Sequence, residues 1–180
     1  MRNYLKLLVC PKEVDRDFIR TRIHVRDGLL LVNIVYFLVI IMMMLPRIRE
    51  NGIASFLFIC LIGVLALICL DLTLVVNAWI FRLLCRKICH KDFLFRTCFQ
   101  LVLIYSIPEM LIAMLTYGIS MMLGFTFKTG LNTIYGVISF VFCAYILLYY
   151  LIRVFECPKK NAGFVVISYF AILKLILFLI

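Results

Sequence analysis

An all-α, polytopic membrane protein with five transmembrane helices is the fold this sequence predicts, on three observations. Hydrophobic residues make up 66% of the 180 and charged residues only 16%, against about 45–50% and about 25% in an ordinary soluble domain. With a mean hydropathy of +1.15, the chain has too little polar surface to coat a globule in water. Its apolar residues fall in long runs that can cross a bilayer, which takes roughly 17–25 residues of helix. Its Lys and Arg residues fall almost wholly between those runs, where membrane orientation requires them.

The elements follow in order. Residues 1–28 form a charged lead. Pro11, Glu13, Asp15, Arg16 and Asp17 interrupt it after a few apolar residues, whereas a secretory signal has an unbroken apolar core. Phe18, Ile19 and Ile23 recur at helical spacing, with Arg16, Arg20 and Arg26 elsewhere around the turn. That pattern predicts a short amphipathic helix lying on the cytoplasmic leaflet. Residues 29–180 form the transmembrane domain. Its first span is 29–45, near the minimum length, with Asn33 as its one strongly polar member. Pro46–Gly52, PRIRENG, reads as a tight turn. The second span, 53–81, must tilt or project, and Trp79 with Arg82 marks its exit. The connector 82–97, RLLCRKICHKDFLFRT, carries five basic residues. Span three, 98–122, is bent where Pro108 removes a backbone donor. GFTFKTG, 124–130, makes a Gly-bracketed turn before span four, 131–152. RVFECPKKNA, 153–162, is a basic turn, and 163–180 makes the fifth span.

Orientation follows from a count. The lead, the 82–97 connector and the 153–162 turn hold fifteen of the nineteen Lys and Arg residues, whereas the opposite turns hold only Arg47, Arg49 and Lys128. The side richer in Lys and Arg is cytoplasmic, so the amino terminus is expected inside and the carboxyl terminus outside. The same distribution disposes of a nucleic-acid reading of the +10 net charge, because no separate basic domain exists. The eight cysteines sit in apolar spans or near span ends, which is not the loop-rich pattern of a disulfide framework.

Five features together resemble the Yip-domain family, the Ypt/Rab-interacting membrane proteins, in a short prokaryote-like form. They are the Pro-containing basic lead LLVCPKEVDRDFIR, the five spans, the 82–97 connector, LVLIYSIPEML at 101–111 and KKNAGFVVI at 159–167. The resemblance covers most of the chain, and YSIPE is its most specific part. It implies a five-helix integral membrane domain without known chemistry of its own, with a scaffold, membrane-organisation or trafficking role. It places the protein in a prokaryotic plasma membrane, or in endomembranes if the source is eukaryotic. Eukaryotic relatives associate with small GTPases and vesicle-forming machinery and carry a long amino-terminal region with an Asp-Leu-Tyr-Gly-Pro motif. Here that region is only about 28 residues long and has no such motif, so GTPase association does not carry over. The partners implied are the lipid bilayer and proteins within the membrane or at the basic cytoplasmic face.

The chemistry-bearing candidates are few. Asp71 lies ten residues before Phe81 and Glu109 eleven after Cys98, about 15–16 Å along their helices at 1.5 Å per residue. On two antiparallel helices, both carboxyls therefore reach the midplane of a roughly 30 Å core. An exposed charge there is costly, so Asp71 and Glu109 are expected to face one another or a shared pocket. Pro108, Ser106, Asn77 and Lys174 are the candidate pocket or kink partners. The pair serves either a structural role, protonated and hydrogen-bonded within the bundle, or the handling of protons or ions in a small transporter. Lys174 either reaches the carboxylate layer or snorkels outward. Cys85, Cys89 and His90 form too small a set for a metal site, and free juxtamembrane thiols are the simpler reading. A membrane peptidase built on His90 and Cys98 lacks an orienting third group. No cofactor is expected, no catalytic residue stands out, and a non-enzymatic role is the leading expectation.

Overall fold

A computed structural model describes residues 18–19, 23–122 and 129–179 of the chain. All the regular structure among them is helical. Four long helices carry it: α1, Val25–Ile88; α2, Phe95–Met122; α3, Thr129–Arg153; and α4, Lys159–Leu179. Val25–Met42, Cys60–Ile88, Phe95–Thr116 and Ile134–Arg153 are long and apolar enough to cross a membrane, with mean hydropathies of 1.8–2.4. Most of the lead, and residues 123–128, which hold most of the expected 124–130 turn, lie outside the described residues.

Helix α1 holds the main departure from the sequence reading. Helical conformation continues through all 64 residues, including Pro46–Gly52, so no non-helical turn separates the first two runs. A straight helix of that length would be about 96 Å long and would hold Asn33 and Asp71 about 57 Å apart. Instead, the Asn33 Nδ2 donates to Asp71 Oδ2 at 3.4 Å. A Cβ added at Gly63 would lie only 3.2 Å from the Phe37 ring, so the backbone of the second half runs close against the first. The chain thus reverses between Phe37 and Gly63, and α1 is a helical hairpin. Sharp bends in helices come from Pro and Gly positions, and PRIRENG supplies both at the centre of these two pairs. The expected reversal is present, but helical turns run up to it from both sides.

Helix α2 is the axis of the bundle. Every residue from Cys98 to Pro108 is buried, which requires neighbours all round rather than along one stripe. The α1 hairpin and α3 pack along it, and α4, packed against both α1 and α3, reaches it through Tyr169 and Phe170 at Tyr105. The second half of α1 is peripheral: Leu61, Leu65, Ile68, Leu72, Val76 and Trp79 point outward. A helix of this kind loses its outer apolar face to water unless lipid covers it.

The connectors are shorter than the sequence reading made them. The helix expected to end at Phe81 continues to Ile88, because Cys85 packs inward while Arg86 and Lys87 face out. Helix α2 starts at Phe95, so only residues 89–94 link the two. On the other side, α3 ends at Arg153 and α4 already begins at Lys159. Both links turn through one residue in the left-handed region, His90 at φ 52° and Glu156 at φ 53°. The links then satisfy each other's open carbonyls. The Lys91 ammonium donates to the Phe155 and Glu156 carbonyls at 2.7 and 3.0 Å, and the Asn161 amide donates to the Ile88 carbonyl at 3.0 Å. The Phe93 and Phe155 rings meet edge to face at 4.9 Å. Helix-end carbonyls have no partner within their own helix, so these side chains fasten both links into one end of the bundle.

The last part of the lead joins that end. Ile19 and Ile23 are fully buried, and the side chain of Gln100, itself buried, donates to both their carbonyls at 3.3 and 2.6 Å. The apolar stripe expected to meet lipid is, at these two positions, packed on protein. Helical periodicity marks which face is apolar without saying whether lipid or another helix covers it.

Candidate functional site

The polar groups at membrane depth fall into two sets. The first lies inside the α1 hairpin. Asn33 comes from its first half and Asp71 from its second, and both are half-buried. Beyond their one hydrogen bond, Asn33 Oδ1 and Asp71 Oδ1 are enclosed with no donor. An ionised carboxylate and an amide oxygen are both acceptors, so neither satisfies the other. The two oxygens therefore call for a donor that neither side chain supplies to them.

The second set lies between α2, α3 and α4. Tyr105 and Tyr169 are buried and their hydroxyls lie 2.6 Å apart. Their rings are nearly perpendicular, and Tyr169 is edge-on to Phe81 as well. The Cys143 thiol points at the Tyr105 carbonyl at 3.6 Å, and Tyr135 donates its hydroxyl to the Glu109 carbonyl at 3.4 Å. Glu109, one helical turn beyond Tyr105, sits in the electrostatic neighbourhood of Tyr105, Tyr135, Cys143 and Tyr169. Only one of two facing hydroxyls can donate into the pair, which leaves the other's proton for a further acceptor.

The hydrogen bonds of the structure do not join the expected pair, Asp71 and Glu109. Among the described residues no hydrogen bond or ion pair joins Asp71 to Glu109; Asp71 meets Asn33, and Glu109 belongs to the tyrosine set. Helical rise fixes the depth of each carboxyl but not the direction around the axis in which it points. The other candidates also separate. Ser106 is buried and bonds back to the Val102 carbonyl of its own helix at 2.8 Å. Pro108 is buried inside α2, and Asn77 is half-buried on α1. Lys174 is exposed and makes no ion pair with either carboxylate among the described residues. Sequence reasoning missed Gln100 and the Tyr105–Tyr169 pair. A lone amide in the run CFQLVL was the available signal for the first; nothing local announces a pairing across 64 residues.

At the basic end, Cys85, Cys89, Cys98 and Cys157 are all buried. All the described cysteines are free thiols. Desolvation, followed by the neighbouring Cys89, raises the Cys157 thiol to about 12, so it is a thiol at neutral pH and a poor nucleophile or ligand. Among the described residues no three His, Cys, Asp or Glu side chains close into a metal-binding group. His90 faces solvent, away from the buried Cys98. Arg82 holds Asp92 at 3.1 Å on the surface. No known family model, curated protein or solved structure matches the chain.

Proposed function

We propose that this protein is a five-span membrane scaffold, amino terminus inside and carboxyl terminus outside, that organises membrane or partner proteins and carries out no reaction itself. It is the role expected of a Yip-domain-like protein in a prokaryotic plasma membrane. The observation that carries this reading is that Asp71 bonds to Asn33 within the α1 hairpin while Glu109 lies one turn from the Tyr105–Tyr169 pair on α2, with no hydrogen bond or ion pair between the two carboxylates among the described residues. A coupled transporter gathers its ionisable groups on one pathway near the midplane. On this reading helix α4 supplies the fifth span, and the fifteen basic residues of the lead, of 82–97 and of 153–162 mark the cytoplasmic side.

A second reading, a small proton- or ion-coupled transporter, is favoured by one observation: the two enclosed oxygens of Asn33 and Asp71 that lack a donor. Proteoliposomes enclosing a pH-sensitive dye separate the two. Under an imposed proton or sodium gradient, the scaffold reading predicts the same flux as protein-free vesicles. A flux that Asp71→Asn or Glu109→Gln abolishes would establish the transporter instead.

A further inference from the structure

We propose that the basic end of the bundle is a recognition surface for anionic phospholipid headgroups of the leaflet in which it sits. The membrane-scaffold reading supplies the leaflet; the residues supply the preference. Lys91 is occupied by two carbonyls and Arg82 by Asp92. Six further basic residues, Arg86, Lys87, Arg96, Arg153, Lys159 and Lys160, remain exposed at this end and make no ion pair among the described residues. They come from three separate stretches of chain: the end of α1, the start of α2, and the link from α3 into α4. The Lys91, Asn161 and Phe93–Phe155 contacts fix these stretches against one another, so the charges form one pre-ordered cluster rather than independent flexible tails. Clusters of four to eight Lys and Arg at the cytoplasmic edge of a span attract acidic lipids.

An acidic soluble protein would also be drawn to such a charge cluster, but the apolar neighbours favour lipid. Leu94, in the middle of the polar link, is 65% exposed, Phe95 beside it is also exposed, and Trp79 is 57% exposed one turn before Arg82. Aromatic and aliphatic side chains at the level of basic ones suit the boundary between acyl chains and headgroups. A wholly aqueous surface would leave them in water. The exposed cations then lie at the depth of the phosphates, with the Lys and Arg stems running along the acyl boundary.

Trp79 is the only tryptophan of the chain and serves as a built-in contact reporter for lipid at this end. The full-length protein is reconstituted in vesicles containing phosphatidylglycerol or phosphatidylcholine brominated near the headgroup end of the acyl chains. Quenching of Trp79 over a range of mole fractions gives the relative association of the two lipids. A severalfold preference for the anionic lipid is expected, falling towards equality as salt rises. The triple variant Arg153→Gln, Lys159→Gln, Lys160→Gln should show a smaller preference, and its helical circular dichroism tells loss of binding from loss of fold. Equal quenching by the two lipids in the unaltered protein would overturn the proposal. So would equal quenching combined with binding of soluble polyglutamate, which would identify an acidic protein surface as the partner. Neither result bears on ion flux, so this proposal and the scaffold reading fail separately.

Discussion

The Asn33–Asp71 pair shows how much a single missing donor matters. An enclosed acceptor without a partner costs about 1–3 kcal/mol. Asp71→Asn turns the pair into two amides that can each donate and accept, so the melting temperature in detergent should hold or rise. Asn33→Leu removes the one donor Asp71 has and should cost about 1–3 kcal/mol. Equal destabilisation by both variants would contradict this view of the pair. Cys157 gives a second test at the same scale. In the unfolded chain its thiol ionises near 9.0, and in the fold near 12. The unfolded state therefore loses its proton first, and the stability contributed by the buried thiol is full below about pH 9 and declines as pH rises towards 12. Iodoacetamide at pH 8 should leave Cys157 of the native protein largely unmodified while labelling it readily after denaturation in SDS. Mass spectrometry of the peptide containing residue 157 reads the difference.

At the scale of elements, apolar runs and basic flanks made the helices legible, because length and hydropathy are properties of a segment taken alone. The ends were less so. Helix α1 outruns its apolar core to Ile88 because Cys85 finds tertiary packing, and α4 begins at Lys159 because Asn161 reaches the Ile88 carbonyl. Such extensions depend on a partner distant in sequence. The depth of Asp71 and Glu109 could be counted, but what each lies beside depended on helix azimuth and on Asn33, Tyr105 and Tyr169 being carried to particular faces. The two short links carry a prediction of their own. His90 and Glu156 hold positive φ without being glycine, a conformation that costs an L-residue roughly 1–2 kcal/mol. His90→Gly and Glu156→Gly remove that strain at some entropic cost and should each stabilise by up to about 1 kcal/mol. Thermal unfolding in detergent checks this; a loss on either substitution would show that the side chain matters more than the turn.

At the scale of the whole molecule, α2 is covered by the α1 hairpin and α3 and touched by α4 at Tyr105, and nearly all outward apolar surface lies on the peripheral helices. That arrangement suits lipid outside and protein within, with the basic links gathered at one end. On the proposed topology, charge asymmetry orients the bundle, because Lys- and Arg-rich segments resist translocation. Five spans with the amino terminus inside require the carboxyl terminus to lie outside. The most direct measurement is a pair of reporters fused after Ile180, one fluorescent only in the cytoplasm and one enzymatically active only outside it. A dark fluorescent fusion and an active external enzyme are the predicted result. Cytoplasmic fluorescence with a silent external enzyme would contradict the five-span bundle.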